Sequence, residues 1–303
     1  MLNQFSFALG ITGPILLLLV LGWSIRRLQL VDDSFVTQAN ALVFNIALPV
    51  MLFFAISSGS LNQAFDLPLT LIGLGGTLAL VGLLLIVGRL VPADQRGVFV
   101  QGSYRGNLAI LGVALAVATY GESVLPLVAV YIAVVTTVYN IVAVWVLNSS
   151  GVIRKLIRNP ILIGIVAGVI VSALNLPVPT MLRDTGAYLT GMTLPLALIC
   201  IGATLDFSSL LSHGRSIALA VIFKLVISPV LLVGLGLGFG LGDTQLGILF
   251  FMAASPTATA SYIMARQMTS HGALAAEIVA VTTALGVVSY TFGIAWLRTA
   301  GIV

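Results

Sequence analysis

The sequence predicts an all-α polytopic membrane protein: ten transmembrane helices in two inverted five-helix repeats, with helices 4 and 9 broken where they cross. Three observations predict it. Of the 303 residues, 59% are hydrophobic and only 7% are charged, where a soluble domain carries about a quarter charged residues. The apolar residues gather into segments long enough to cross a bilayer. Two of those segments carry helix-breaking residues at their centres, "RGN" at 105–107 and "SPTATA" at 255–260.

A hydrocarbon core of about 30 Å takes about 20 helical residues, and on that measure spans lie near 5–25, 35–58, 68–90, 98–119, 124–147, 159–175, 186–205, 215–240, 245–266 and 273–297. Span one has no Lys or Arg before it and Arg26 and Arg27 after it. That is the reverse of a secretory signal peptide, so the segment is expected to be retained with its N-terminus outside. Span two carries Asn45, span four Gln101, Arg105, Gly106 and Asn107, and span five Tyr131 and Asn140. In span six Gly164 and Gly168 have the spacing of close helix packing, as do Gly234, Gly238 and Gly242 at the end of span eight. Trp23, Trp145 and Trp296 fall near span ends, where indole rings anchor at the interface.

Lys and Arg are retained on the cytoplasmic side of short loops. Loops after odd-numbered spans carry Arg26, Arg27, Arg89, Arg96, Arg154, Lys155, Arg158, Arg215 and Arg266; the opposite side carries only Arg183 and Arg298. Both termini are therefore expected on the outer side of a cell inner (plasma) membrane. The remaining two cations, Arg105 and Lys224, lie inside spans.

The halves, 1–150 and 151–303, resemble one another weakly. "FNIALPVMLFFAIS" in span two matches "TGMTLPLALICIGA" in span seven, pairing Pro49 with Pro195, and "YRGNLAILGVALA" in span four falls opposite "ASPTATASYIMAR" in span nine, pairing Gly106 with Pro256 and Asn107 with Thr257. Five spans per half is an odd number, so the second copy must enter the membrane upside down. Non-helical backbone at membrane depth survives only where it is buried in protein or lines a wet cavity. Two broken spans crossing near the centre would aim half-helix N-termini, each with partial positive charge, at one point. An anionic substrate is the expectation.

Other classes find little support. The scattered cations form no basic face for nucleic acid. The lone Cys200 excludes an intramolecular disulfide and a cysteine metal cluster. "GLGLGFGLG" at 234–242 follows no strand, so the dinucleotide reading fails, and no P-loop lysine motif is present. His213 and His271 fall in expected loops, away from any intramembrane catalytic constellation. No cofactor or metal is implied.

In "FNIALPVMLF" at 44–53, "YRGNLAILGVALA" at 104–116, "YGE" at 120–122, "NPILIGIVAG" at 159–168, "PLALICIGATL" at 195–205, "KLVISP" at 224–229 and "AASPTATASYIMARQ" at 253–267, the chain resembles the auxin efflux carrier family, the bacterial relatives of the plant PIN transporters. The resemblance implies a ten-helix inverted-repeat carrier, similar to bile-acid symporters and sodium/proton antiporters. It also implies a secondary active transporter of small organic anions that works by an elevator-like motion. Spans three, four, five, eight, nine and ten would move against the rest. Plant members carry a Pro-Asn pair at the crossover of span four, where this chain has Gly106 and Asn107. A homodimer and a coupling proton or sodium ion belong to the same picture, with the ion's identity open. A channel, or an ion-coupled symporter or antiporter for another small solute, is the alternative.

Site candidates follow. Asn107 has a donor and an acceptor at the crossover, and Thr257, Ser255 and Asn45 are further expected substrate contacts. Hydroxyls in membrane helices also bond their own i−4 carbonyl, the structural alternative for Thr257 and Ser255. Gly106 and Pro256 mark the breaks. Lys224, Arg105 and Glu277 are candidates for charge compensation or coupling; Lys224 is deep, whereas Arg105 is shallow enough to reach the headgroups. No Asp or Glu lies at the centre of any span, so a central proton-carrying carboxylate is missing.

Overall fold

A computed structural model describes residues 2–58, 64–147, 158–205 and 214–302. Arg154, Lys155, Asp206 and His213, and the expected boundary between the halves at 150/151, lie outside the described residues. Within them the protein is all-helical, with helices α1 Leu2–Arg27, α2 Asp33–Ser57, α3 Leu67–Leu90, α4 Arg96–Tyr104, α5 Leu108–Tyr120, α6 Glu122–Val146, α7 Pro160–Ala173, α8 Thr180–Ala203, α9 Gly214–Gly238, α10 Asp243–Ala254, α11 Thr259–Met268 and α12 Gly272–Thr299.

Seven of these helices are long and apolar enough to cross a membrane, namely α1, α2, α3, α6, α8, α9 and α12. The shortfall from ten falls where span six shortens to α7, of 14 residues, and where spans four and nine break. α4 and α10 have 9 and 12 residues. At 1.5 Å per residue neither covers 30 Å alone.

The acids beside the spans close helix ends. Asp32 accepts from the Phe35 N–H at 2.7 Å and Asp66 from the Leu69 N–H at 2.9 Å, while Asn159 does the same for Ile161 at 3.0 Å. Each side-chain oxygen satisfies an N–H left free in a first turn.

Two of the prolines inside spans are absorbed by wider turns. Pro49 and Pro229 lack the N–H that would bond residue i−4, and the preceding stretches Val43–Ala47 and Phe223–Ile227 open to a π-type winding. At the second of these the freed Leu225 carbonyl accepts from the Ser289 hydroxyl of α12 at 2.7 Å.

Glycines set the close contacts. Gly22 of α1 lies against the Ile199 carbonyl of α8, and Gly202 of α8 against the Leu19 carbonyl of α1. Gly164 and Gly168 of α7 lie against the backbone of Pro49 and Phe53 in α2, as their spacing predicts. The expectation for Gly234, Gly238 and Gly242 is corrected. Nothing approaches the first two within 4 Å, and Gly242 meets only the Gln245 side chain. Gly236 instead faces Leu246 and Leu249 of α10, because 234 and 238 lie on the outer side of α9. Trp23, Trp145 and Trp296 are exposed and Cys200 is buried apolar filler, both as expected.

The start of α1 lies beside the end of α12: Phe5 packs on Phe292, the Arg298 guanidinium sits 3.7 Å from the Phe7 ring centroid, and Thr12 and Thr291 share a buried hydrogen bond of 2.9 Å. The opposite end gathers described residues of the loops after spans one, three, seven and nine. Arg26 pairs with Asp33 at 2.6 Å, His271 with Asp94 at 3.2 Å, and the Ser216 hydroxyl bonds Gln95 at 3.0 Å. Arg26, Arg27 and Arg266 line one cavity there, of about 1100 Å³.

Candidate functional site

α4 ends at Tyr104 and α10 at Ala254, and each chain then runs extended for three or four residues before turning helical again. The two extended stretches lie antiparallel, with Gly106 opposite Thr257. The Asn107 N–H donates to the Pro256 carbonyl at 2.7 Å, and the Ala258 N–H to the Arg105 carbonyl at 2.9 Å. Residues about 150 positions apart in sequence thus supply backbone partners at the two breaks.

Several of the carbonyls orphaned at the two helix ends find side-chain partners. At the end of α4, the Gly102 carbonyl accepts from the Thr257 hydroxyl at 2.6 Å and the Tyr104 carbonyl faces the Lys224 Nζ at 3.5 Å. At the end of α10, the Met252 carbonyl accepts from the Ser255 hydroxyl at 2.7 Å, and the Ala253 carbonyl from Lys224 Nζ at 3.0 Å and the Ser228 hydroxyl at 3.4 Å.

On the other side of the crossing, α5 and α11 begin. Their first N–H groups have no intrahelical partner, and Leu108, Ala109, Thr259 and Ala260 line a cavity of about 330 Å³. Asn107, Arg105 and Gly106 line it as well, and α2 contributes Phe44 and Asn45, α6 contributes Thr136, Tyr139 and Asn140, and the start of α7 contributes Arg158 and Asn159. No carboxylate is among the described lining residues. Two guanidiniums, two half-helix N-termini and four asparagines from different elements therefore face one space. This is the arrangement that holds an anion.

Arg105 is fixed there. Its Nη2 donates to the Asn140 Oδ1 at 2.8 Å and its Nη1 lies 3.5 Å from the Tyr139 carbonyl. The side chain is 6% exposed. The expectation that it reaches the headgroups is therefore overturned, because α6 packs over it. Tyr104 holds α6 in register by donating its hydroxyl to the Tyr139 carbonyl at 2.9 Å, ring against ring. The Asn107 side-chain amide makes no hydrogen bond within the described residues, although its backbone is fully used. Asn45 is exposed on the cavity wall, its amide donating to the Ala41 carbonyl at 2.8 Å.

Other residues singled out in the sequence sit elsewhere. Ser255 and Thr257 are buried and outside the cavity lining; their hydroxyls take up helix carbonyls, but not the i−4 carbonyls raised as the alternative, since Ser255 bonds Met252 and Thr257 bonds Gly102 of α4. Pro256 contributes its carbonyl to the bridge. Lys224 is fully buried at the carboxyl ends of the two half-helices, on the far side of the crossing from the cavity. Glu277 is buried and lines no part of the cavity. Gln101 reaches across to the Met264 sulfur at 3.5 Å, a link between helices. Arg158 is the site residue the sequence reading missed. It reads as a loop cation until α7 begins beside the crossing. Its neighbour Asn159, capping a helix that starts with Pro160, is the signal that could have found it.

The sequence matches the membrane transport protein family over residues 12–151 and 144–294. A protein of Rhizobium meliloti (strain 1021) named "Putative malonate transporter" is 25% identical, over 96% of this chain and 96% of its own. An "Uncharacterized transporter" of Methanothermobacter thermautotrophicus is 22% identical, over 91% of this chain and 93% of its own. The relatives are transporters and not enzymes, and several helices of this protein are apolar enough to cross a membrane. The chain is a multi-pass membrane protein that belongs to the membrane transport protein family, that of the auxin efflux carriers.

Proposed function

We propose that the protein is a secondary active carrier of small organic anions, with dicarboxylates of malonate's kind as substrate, working by elevator-type alternating access. The observation that carries the reading is the cavity at the crossover. Arg105, Arg158, Asn107 and the first turns of α5 and α11 line it, and no carboxylate among the described residues does. A dicarboxylate brings two negative charges and four acceptor oxygens. Guanidinium forks, free backbone N–H groups and asparagine amides are the matching donors.

A ten-helix inverted repeat belongs to the same reading. Counting α4 with α5 and α10 with α11 as single crossings gives ten. An even number of crossings agrees with the start of α1 lying beside the end of α12. The tight α1–α8 pairing through Gly22 and Gly202 has its counterpart in the α7–α2 pairing through Gly164 and Gly168, as an exchange of the two halves requires. The cavity lies between α2 and α7 on one side and the crossing helices with α6 on the other. Sliding one group against the other would carry the bound anion across, the motion expected of this architecture. On this reading the basic loops face the cytoplasm and both termini the outside of the cell membrane.

Purified protein reconstituted in vesicles and preloaded with unlabelled malonate should accumulate labelled malonate transiently, with saturable initial rates. Counterflow of this kind needs a carrier. Uptake that rises linearly with concentration and lacks counterflow would replace the carrier with a pore. Counterflow only with a neutral or cationic solute would overturn the choice of substrate.

A further inference from the structure

Lys224 poses a problem that anion binding in the cavity does not solve. Its side chain is completely buried, midway along α9, and lies against the ends of both broken helices. Nζ donates to the Ala253 carbonyl at 3.0 Å and lies 3.5 Å from the Tyr104 carbonyl. Among the described residues no carboxylate pairs with it. What it meets are the carboxyl ends of α4 and α10. Each carries the negative end of a helix dipole, equivalent to roughly half an elementary charge.

Gly106 is part of the same arrangement. A Cβ at that position would stand 2.9 Å from Lys224 Nζ and 2.6 Å from the Ser255 Oγ. Any other residue, proline included, would push against the ammonium or against Ser255. Absence of a side chain at 106 and presence of a long cation at 224 are therefore two halves of one device. In carriers with broken crossing helices, carboxyl ends and unwound carbonyls are the groups that coordinate a coupling cation.

We propose that the Lys224 ammonium is the resident cation of the crossover. It fills the place between the two carboxyl ends that a metal cation would otherwise take, so an anion binds on the opposite side without sodium. The second half of that statement rests on the anion reading above; the first half does not. The positive charge holds the two negative helix ends together, and the N-terminal ends of α5 and α11 stay free for the substrate. Lys224 is on this account a positioning residue, which touches the crossing and not the cargo.

The test uses sodium itself as probe. Thermal unfolding of the full-length detergent-purified protein and of Lys224→Ala is followed in sodium chloride and in choline chloride of equal ionic strength, with no carboxylate present. The wild type is expected to melt at the same temperature in both salts. Lys224→Ala should melt roughly 4 °C or more lower in choline, and sodium, entering the vacated place, should raise it by about 2 °C or more. A sodium shift in the wild type, or an alanine variant that responds to sodium no more than the wild type, overturns the proposal. If the alanine variant is not recovered folded, Gly106→Ala replaces it. Its methyl group displaces the ammonium, and it too should gain a sodium response that the wild type lacks; no gain overturns the proposal. Malonate is then added in choline. Failure of the wild type to bind it at all would refute the substrate reading while the sodium arm stands on its own. Binding that appears only with sodium would refute the resident cation.

Discussion

Asn107 divides its duties between backbone and side chain. Its N–H and carbonyl hold the bridge to Pro256 and the first turn of α5, while its amide group is left to the cavity. Asn107→Ala should therefore stay folded and bind malonate about tenfold or more weakly by calorimetry, since a hydrogen bond to a charged group is worth about 1.5–3 kcal/mol. Wild-type affinity in a folded variant would remove Asn107 from the site. Arg105 makes a sharper demand, because its planar fork must reach Asn140 and face the cavity together. Arg105→Gln should reduce saturable malonate uptake by about tenfold or more. Arg105→Lys should not restore it, because a single ammonium cannot reproduce the fork. At this scale the sequence identified Asn107 and Gly106 as belonging to the crossing, but left Arg105 within reach of the headgroups. It could not separate Ser255 and Thr257 from the cavity, because a hydroxyl beside a helix break suits a substrate and an orphaned carbonyl equally well. It placed Arg158 in a loop because only folding brings the start of α7 beside the crossing.

Helices here survive their interruptions because other elements supply what the breaks remove. Pro229 frees the Leu225 carbonyl and Ser289 of α12 takes it up. Ser289→Ala should cost about 1–3 kcal/mol by leaving a buried acceptor unpaired, read as a melting temperature several degrees below wild type. An unchanged melting temperature would mean that water reaches that carbonyl. The apolar runs made most helices legible from sequence. The breaks in spans four and nine were legible too, from Gly106 and Pro256. What the periodicity of single runs could not give was which face of α9 packs inward. Gly234, Gly236 and Gly238 share one composition, and only the neighbouring α10 selects Gly236.

The whole molecule has one cation-rich end and one that holds both termini. On a Cys200→Ala background, a membrane-impermeant thiol reagent should label Thr299→Cys on intact cells and Arg27→Cys only after permeabilisation. The reverse pattern would invert the orientation proposed from the distribution of Lys and Arg. Composition and the length of the apolar runs determined that the chain is a helical membrane protein, because burying its apolar residues in water-soluble form would leave too little polar surface to cover them and the runs match a helical crossing. Charge distribution determined the expected orientation, and the order of its motifs the family. Only the tertiary structure decided how the crossing is stabilised. It brings Gly106 against Thr257 across 151 residues, seats Lys224 on the carboxyl ends and turns the opposing N-termini toward Arg105 and Arg158. The physical reason is that a broken helix in a membrane leaves polar groups without partners, and which distant residues satisfy them depends on packing between halves, not on local pattern.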